Sequence, residues 1–301
     1  MEMHIPVLLN ETISGLNLKP GAVAVDATIN GGGHSSKMLE AIGENGLLLG
    51  IDRDEKVLEE LKRKTSGERL WQNAKLAVGN FRELDGLMDS FGIAKADAFL
   101  FDLGMSSVQI DESGRGFSFQ KDEPLLMTMK SNPEHGDLTA REIVNDWREE
   151  ELENIIRTYG EERFSRRIAA NIVRRREIKP IETTLELVDV IRESVPGFYR
   201  RGRVNCATRT FQALRIAVND ELNAAKEGLE KAWDRLNIGG RAAAISFHSL
   251  EDRIVKNFFK EKALLGEGAL IDKKPITASE EERLSNPRSR SAKLRIIEKI
   301  K

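Results

Sequence analysis

Short apolar runs alternate with helical patterns along the first hundred residues of this chain. The apolar runs are typical of buried strands and lie at residues 22–27, 47–51, 76–78 and 96–101. Apolar side chains recur at helical spacing between them, at residues 35–42, 56–64 and 82–91. This β-α-β-α-β-α-β order predicts a parallel sheet with helical crossovers.

The alternation stops after the fourth predicted strand. From about residue 120 to about residue 202 the pattern is almost wholly helical, and a long amphipathic pattern then covers residues 208–236. A fifth strand, a helix and a late strand follow at residues 241–247, 250–259 and 293–297. We therefore predict a discontinuous α/β domain interrupted by an inserted helical domain, with the α/β parts at 1–113 and 207–301 and the insertion at 114–206.

The composition is that of an ordinary soluble protein, with 301 residues of which 40% are apolar and 32% charged. The chain has no run of about 18 apolar residues that could span a membrane. Its first six residues lack the basic and then apolar pattern of a secretory signal. The single cysteine cannot form an internal disulfide, and together these features predict a cytoplasmic protein without a membrane partner.

A glycine-rich turn follows the first predicted strand and runs from Asp26 through Gly31, Gly32 and Gly33. Asp52 ends the second strand, where an acid can accept hydrogen bonds from both ribose hydroxyls of a nucleoside cofactor. The alternative is a tight turn beside an acid that only solvates a strand end. The G-x-G-x-x-G fingerprint is absent and Asp26 would repel a pyrophosphate, so the pattern favours S-adenosylmethionine over a nicotinamide dinucleotide.

Polar residues also follow the fourth and fifth predicted strands. Asp102 ends the fourth strand, at the sheet edge where ligands of open α/β sheets bind, although a strand-end acid can also be a simple turn residue. Gln109 lies a few residues further on and is an uncharged donor and acceptor. His248 follows the fifth strand, just before a segment in which Ser249 and Asp252 predict a capping box.

Several reaction classes are excluded by missing motifs. The chain has no H-E-x-x-H, no paired cysteines, no G-x-S-x-G and no phosphate-binding loop of the G-x-x-x-x-G-K-[ST] type, so no metal site is predicted. Methylation of a pyrimidine carbon usually needs a cysteine nucleophile, but Cys206 lies in the helical segment rather than after a strand. Methylation of an exocyclic amine needs only positioning, desolvation and a proton acceptor.

A series of motifs across nearly the whole chain resembles the MraW/RsmH family of bacterial methyltransferases. The motifs are HIPVLLNE at 4–11, DATINGGGHS at 26–35, GIDRD at 50–54, FDLGMSS at 101–107, QID at 109–111, RGFSF at 115–119, YGEERF at 159–164, ATRTFQALRI at 207–216, ISFHSLEDRIVK at 245–256 and NPRSRS at 286–291. GIDRD alone is weak evidence. RGFSF, ATRTFQALRI and SFHSLEDRIVK in this order are highly specific.

The resemblance implies an α/β fold with a Rossmann-like class I methyltransferase sheet and an inserted all-helical domain. This family uses S-adenosyl-L-methionine to methylate the exocyclic N4 amine of a cytidine in the decoding region of 16S rRNA, within the small ribosomal subunit. The resemblance also implies a cofactor site made of Gly32, Gly33, His34, Asp52, Phe81, Asp102 and Gln109. In that site the two glycines approach the methionine moiety and Phe81 stacks on adenine. Asp102, and after it His248, are the candidate catalytic residues that orient the amine or receive its proton.

The sequence departs from the family pattern in a few places. Leu126 and Thr128 stand where the family usually has an acid and an arginine, and Asn205 and Cys206 stand where it has a histidine followed by proline or an apolar residue. Asn30 in the glycine turn is a milder difference. These departures leave open a second hypothesis, a non-catalytic RNA-binding or ribosome-assembly factor. A nicotinamide-dependent oxidoreductase is a third, which calorimetry with both cofactors would test.

The formal net charge of −2 would at first argue against a nucleic-acid partner, but it is the sum of two unlike parts. Residues 157–215 contain 14 basic and 7 acidic residues, a net of +7, and the remainder carries −9. Most of the basic residues are arginines, whose planar guanidinium suits phosphate. We therefore expect the inserted domain to contact RNA, although arginines on solvated helix faces are the alternative.

The sequence does not determine the oligomeric state, and a homodimer is compatible with it.

Overall fold

The computed structural model describes residues 6–105, 110, 113–134 and 136–301. Packing divides the chain into two units, the first made of Met1–Ser106 with Leu222–Lys301 and the second of Ser107–Glu221. The second unit ends one helix later than the expected boundary at residue 206. The reason is that Phe211 and Leu214 are buried in the core of the helical unit.

The first unit contains a seven-stranded sheet. Its strands are β1 (Val23–Asp26), β2 (Leu47–Asp52), β3 (Ala74–Val78), β4 (Ala96–Asp102), β5 (Leu236–Ser246), β6 (Gly268–Leu270) and β7 (Lys293–Lys299). The order across the sheet is β3-β2-β1-β4-β5-β7-β6. The first five strands are parallel to one another, and β7 runs antiparallel to β5 and β6. The Rossmann-like α/β class is confirmed, and the short strand β6 was not predicted.

Helices accompany this sheet along the chain, and both faces of the sheet are buried. The helices of the unit are α1 (Leu9–Leu16), α2 (Gly33–Ile42), α3 (Glu55–Lys64), α4 (Leu84–Ser90), α11 (Glu221–Arg235), α12 (Ser249–Leu264) and α13 (Glu280–Ser285), although α11 begins at the last residue of the second unit. Side chains alternate along each strand, so Ala24 and Leu48 enter one core and Val25 and Leu49 the other. Burial on both faces explains why the parallel strands appear as continuous apolar runs.

The second unit is built from short helices around its own apolar core. They are α5 (Ala140–Asp146), α6 (Glu149–Thr158), α7 (Ser165–Arg176), α8 (Thr184–Ser194), α9 (Gly197–Arg200) and α10 (Thr208–Asn219). Capping boxes begin two of them, with Thr139 and Glu142 at α5 and Thr183 and Glu186 at α8. Such caps satisfy the first backbone N–H groups of a helix and fix where it starts.

Two local predictions were wrong. The long pattern at 208–236 is two helices, because Asp220 adopts a left-handed conformation with φ 48° and ends α10. The cap of α12 is His248 with Glu251 at the third helical position, one residue before the expected Ser249 and Asp252. Among the residues with described structure, every helix is too short or too polar to cross a lipid bilayer.

Candidate functional site

Three carboxyl groups meet at one edge of the sheet in the first unit. Asp26, Asp52 and Asp102 are the last residues of β1, β2 and β4, which are neighbours in the sheet. All three are buried, with 1%, 7% and 6% of their surface exposed. Buried carboxyl groups are rare unless they are paired or functional, so this edge is the candidate active site.

Asp52 is held by backbone donors on both oxygens. Its Oδ2 accepts from the Asn30 amide at 3.0 Å, and its Oδ1 accepts from the Asp54 amide at 2.9 Å. Asn30 itself has φ 48°, so the glycine turn adopts a left-handed step to present this amide. Burial raises the pKa of Asp52 to about 7. Each oxygen keeps a further lone pair, so the carboxylate can still accept two hydroxyl groups.

Asp102 has an unused acceptor. Its Oδ1 is buried and finds no hydrogen-bond partner among the residues that the structure describes. Its backbone N–H donates to Thr28 Oγ1 at 2.6 Å, which ties the end of β4 to the glycine turn. Burial raises the pKa of Asp102 to about 7. A buried oxygen without a partner is costly, so a missing ligand or substrate donor is its natural complement.

His34 lies beside Asp102 and Val7, and its predicted place in the cofactor site stays a prediction. Its Nδ1 is 3.7 Å from Asp102 Oδ2, and its Nε2 is 3.1 Å from the Val7 carbonyl oxygen. A carbonyl can only accept, so Nε2 carries the proton and donates to it, which leaves Nδ1 as an acceptor facing Asp102. Burial lowers the pKa of His34 and favours this neutral form. The contact with Val7 was not predicted, although Val7 belongs to the motif at 4–11.

Asp26 serves the glycine turn. Its Oδ2 accepts from the Ser35 hydroxyl at 2.6 Å, and its Oδ1 accepts from the Thr28 amide at 3.2 Å. Burial raises the pKa of Asp26. Through these two hydrogen bonds Asp26 stabilises the glycine turn and the start of α2. This role was not predicted from the sequence.

The two predicted cofactor glycines are also required by packing. Gly32 has φ 76°, and a Cβ there would come within 2.7 Å of a Leu61 methyl group and 2.9 Å of the Trp71 ring. A Cβ on Gly33 would collide with the Pro6 ring. These neighbours account for both glycines without any ligand, so their approach to the methionine moiety stays a prediction.

Phe81 begins a short 3-10 helix after β3 and is half-buried. Its ring packs edge to face against Phe101 with centroids 5.8 Å apart, and a Cβ on Gly228 would come within 2.7 Å of it. The ring is thus anchored in the core, and its stacking on adenine stays a prediction. Gln109, the last predicted cofactor residue, lies outside the described residues.

His248 is engaged locally with Glu251. Its Nδ1 accepts from the Glu251 amide at 3.4 Å, and its Nε2 lies 3.0 Å from Glu251 Oε1. This capping geometry accounts for the residue structurally. Among the described residues, however, Nε2 of His248 makes no hydrogen bond, as is also the case for Oδ1 of Asp102, and the catalytic roles of both residues stay predictions.

The carboxyl groups at this edge of the sheet fit S-adenosylmethionine. Asp52 can still accept hydrogen bonds from ribose hydroxyls. Oδ1 of Asp102 has no hydrogen-bond partner among the described residues, and it can carry a negative charge or a proton. Carboxyl groups here favour a cation and disfavour a pyrophosphate, which supports a sulfonium cofactor over a dinucleotide.

Comparisons with known proteins identify the family of this chain. A profile of the MraW methylase family matches residues 1–300, which confirms the resemblance seen in the motifs. Three relatives carry the name ribosomal RNA small subunit methyltransferase H. Proteins of Caldicellulosiruptor bescii, Heliobacterium mobile and Brevibacillus brevis are 48%, 46% and 44% identical to this chain. Each alignment covers 99% of this chain, and 99%, 99% and 98% of the respective relative.

Proposed function

Since the chain belongs to the MraW methylase family and is a methyltransferase whose methyl donor is S-adenosylmethionine, we propose that it methylates the exocyclic N4 amine of a cytidine in the decoding region of 16S rRNA. The names of its relatives support ribosomal RNA of the small subunit as the substrate. The choice of the amine and of the decoding region follows the motif resemblance. A cytoplasmic location follows the same proposal.

The observation that carries the chemistry is the buried Oδ1 of Asp102, which has no hydrogen-bond partner within the described part of the chain. When bound, the cofactor supplies an electrophilic methyl group to the amine nitrogen. The amine must then lose one proton, and Asp102 Oδ1 accepts it or orients the N–H that leaves. Burial raises the pKa of Asp102 to about 7, which suits a group that takes up a proton near neutral pH.

The state of Cys206 supports an amine rather than a ring carbon as the acceptor. Methylation of a pyrimidine carbon usually needs a cysteine thiolate that attacks the ring. Cys206 is 5% exposed in the apolar core of the helical unit, and burial raises the pKa of its thiol. A buried thiol with a raised pKa is a poor nucleophile.

We assign RNA recognition to the helical unit and cofactor binding to the sheet unit. The net charge of +7 over residues 157–215 supports the first assignment, because phosphate neutralisation dominates affinity for RNA. The exposed arginines of this stretch include Arg166, Arg167 and Arg200. The buried carboxyl groups at the sheet edge support the second.

The departures from the family pattern do not favour the non-catalytic alternative. Thr128 is 4% exposed and Cys206 is 5% exposed, so both side chains fill the interior of the helical unit. Asn205 Oδ1 accepts from the Ala207 amide at 2.9 Å, just before α10. Thr128, Asn205 and Cys206 therefore have structural roles within the helical unit.

Methyl transfer to isolated small ribosomal subunits that lack the modification tests the proposal. Labelled S-adenosylmethionine is supplied, and the modified nucleotide is then mapped by nuclease digestion and mass spectrometry. We expect one methyl group on the N4 amine of one decoding-region cytidine, and none on subunits that already carry it. A methyl group on a ring carbon or at another site would overturn the assignment. Firm cofactor binding without any transfer would support the RNA-binding factor instead.

A further inference from the structure

One large aromatic side chain of the helical unit is turned toward solvent. Phe198 lies in the single-turn helix α9 and is 63% exposed. Fully burying a phenylalanine is worth about 1.5–3 kcal/mol, so leaving one in water forgoes most of that stabilisation. Single exposed apolar residues are common, and Phe198 becomes informative only through its surroundings.

The segment that carries Phe198 is fixed by its neighbour Tyr199. The Tyr199 hydroxyl donates to Glu162 Oε2 at 2.6 Å, and Glu162 is 1% exposed. Glu162 Oε1 also accepts from the Phe164 amide at 2.8 Å, and the rings of Phe164 and Tyr199 pack edge to face at 4.9 Å. The YGEERF motif therefore clamps α9 against the start of α7, and Phe198 is presented from a rigid support.

Arg163 of the same motif lies among the aromatic rings. Its guanidinium is 4.7 Å from the Tyr199 ring centroid, 4.8 Å from that of Phe164 and 5.6 Å from that of Phe198. Arg163 itself is exposed. Such a stack of arginine on aromatic rings holds a positive charge beside the exposed ring of Phe198.

Further arginines lie close to Arg163 and Phe198 in the sequence. Residues 163–167 and 196–203, which we call the Phe198 surface, contain no acidic residue and six arginines: Arg163, Arg166, Arg167, Arg200, Arg201 and Arg203. All six are exposed, and within the described part of the chain none of them forms an ion pair with a carboxylate. Arg141 and Arg175 of the same unit do form ion pairs, with Glu182 and Glu193.

We propose that the Phe198 surface binds single-stranded RNA by stacking an unpaired base on Phe198 while the surrounding arginines contact its phosphates. The proposal rests on the proposed function, since it takes RNA as the substrate. An exposed aromatic ring beside a positive groove is the common design of sequence-tolerant single-strand binding, because every base has a flat face that can stack. Arginine adds planar contacts to phosphate that lysine does not.

The charge pattern favours RNA over a second copy of this chain. Two copies joined through the Phe198 surface would bring six arginines of each against six of the other with no acid in either segment. Like charges placed together across an interface cost several kcal/mol. A polyanion with flat bases complements both the arginines and the ring.

Binding of short RNA to the full-length protein tests the proposal. The probes are a single-stranded oligonucleotide of mixed sequence and the same sequence annealed to its complement. We expect Phe198→Ala to weaken binding of the single strand by about 5- to 150-fold, the range for loss of one stacked base, and to affect the duplex much less. Because no charge is removed, the salt dependence of the remaining binding should stay that of the wild type.

Matched variants separate stacking from other effects. Phe198→Leu keeps an apolar side chain without a ring and should lose affinity as Phe198→Ala does, whereas Phe198→Trp should retain it. Ile178→Ala removes a side chain that is 82% exposed just beyond the opposite end of α7, and it should leave RNA binding unchanged. Unchanged cofactor affinity and an unchanged unfolding midpoint would establish that each variant is folded.

The outcomes distinguish this proposal from the proposed function. Wild-type affinity in Phe198→Ala, or full affinity in Phe198→Leu, would overturn base stacking and leave the methyltransferase proposal intact. RNA binding by the wild type without methyl transfer to small subunits would overturn the proposed function while the Phe198 variants still test stacking. Loss of self-association in Phe198→Ala at unchanged RNA affinity, measured by sedimentation, would instead identify an interface between copies and overturn the RNA proposal.

Discussion

The carboxyl end of the sheet buries its ionisable groups, whereas the Phe198 surface exposes them to water. At the sheet edge, Asp26, Asp52 and Asp102 are withdrawn from water, and burial raises their pKa values. On the Phe198 surface six arginines are exposed. A compact cationic cofactor is held by few charges in a low dielectric, and a long polyanion is held by many charges in water. One chain of net charge −2 can therefore contain both kinds of site.

The two regions also differ in their effect on the stability of the folded protein. Burying an ionisable carboxyl group opposes folding unless hydrogen bonds or a ligand compensate. Exposed arginines cost little because their charge stays hydrated. Removing a buried acid should therefore change both activity and stability, and removing an exposed arginine should change only binding.

The largest effect is expected for Asp102→Asn. If Oδ1 accepts or orients the amine proton, an amide at this position should lower the turnover of methyl transfer by about 100- to 10,000-fold, the usual contribution of general acid–base catalysis. Asparagine keeps the size of the side chain, so the fold should survive. The measurement is single-turnover methyl transfer at saturating cofactor, with cofactor affinity determined separately by calorimetry.

Glu251→Gln and His248→Asn provide the comparison for this test, since both alter the α12 cap and leave the Asp102 side chain itself intact. They should lower turnover less than Asp102→Asn does. Full turnover in Asp102→Asn with cofactor affinity unchanged would show that the proton leaves by another route, and a larger loss in His248→Asn would transfer the catalytic role to His248.

A second prediction concerns the pH dependence of stability without cofactor. The folded pKa of Asp102, about 7, lies above its ordinary value of 3.8, so the folded state holds a proton that the unfolded state releases. Its contribution to stability is complete below about pH 4 and is lost as the pH rises to about 7. The free energy of unfolding of Asp102→Asn should therefore rise relative to wild type over this window, by up to about 4 kcal/mol.

Asp85→Asn is the matched control for this pH dependence. Asp85 is a half-buried acid whose hydrogen bond with Lys231 lowers its pKa from 3.8, so its contribution to stability is lost only below about pH 4. Between pH 4 and pH 8 the variant should therefore differ from wild type by a nearly constant amount, which is small because the pair is partly solvated. Denaturant unfolding of the three proteins from pH 4 to pH 8 measures both differences. If the free energies of unfolding of Asp102→Asn and wild type changed with pH in parallel, the result would contradict a raised pKa of Asp102 in the folded protein.

The sequence predicted the sheet edge better than it predicted the contacts within it. Strand-end acids such as Asp52 and Asp102 follow from local pattern, because the carboxyl ends of parallel strands share one edge. The contact of His34 with the Val7 carbonyl joins residues 27 positions apart and depends on tertiary packing. The break at Asp220 was missed because the apolar spacing continues through it, and hydrophobic periodicity does not register one left-handed residue.

In the helical unit the charge was predicted and the aromatic site was not. The clustered arginines are visible in the sequence, but whether each one is paired depends on packing, as the ion pair of Arg175 with Glu193 shows. Phe198 has the same apolar character as the buried Phe211, and only the structure separates the exposed ring from the core one. The positions of cofactor residues such as Gly32 and Phe81 relative to the ligand stay predictions.

The smallest expected effect tests the exposed arginines. Replacing both Arg166 and Arg167 by alanine should remove about two phosphate contacts from single-stranded RNA. Each contact contributes about 0.7 to the slope of log affinity against log salt, so the slope should fall by about 1.4 while the affinity at high salt changes little. The measurement is a titration of the short RNA at several salt concentrations.

The paired arginines give a control with the same change in net charge. Arg141 and Arg175 form ion pairs with Glu182 and Glu193, so in the folded protein their charges are already partly neutralised. Replacing both by alanine also removes two positive charges, but it removes only arginines that are already paired with carboxylates and should leave the number of phosphate contacts unchanged. If both double variants reduced the salt slope equally, RNA would sense the charge of the whole unit. A reduction confined to Arg166 and Arg167 would place the phosphates at the unpaired arginines beside Phe198, where a stacked base also requires them.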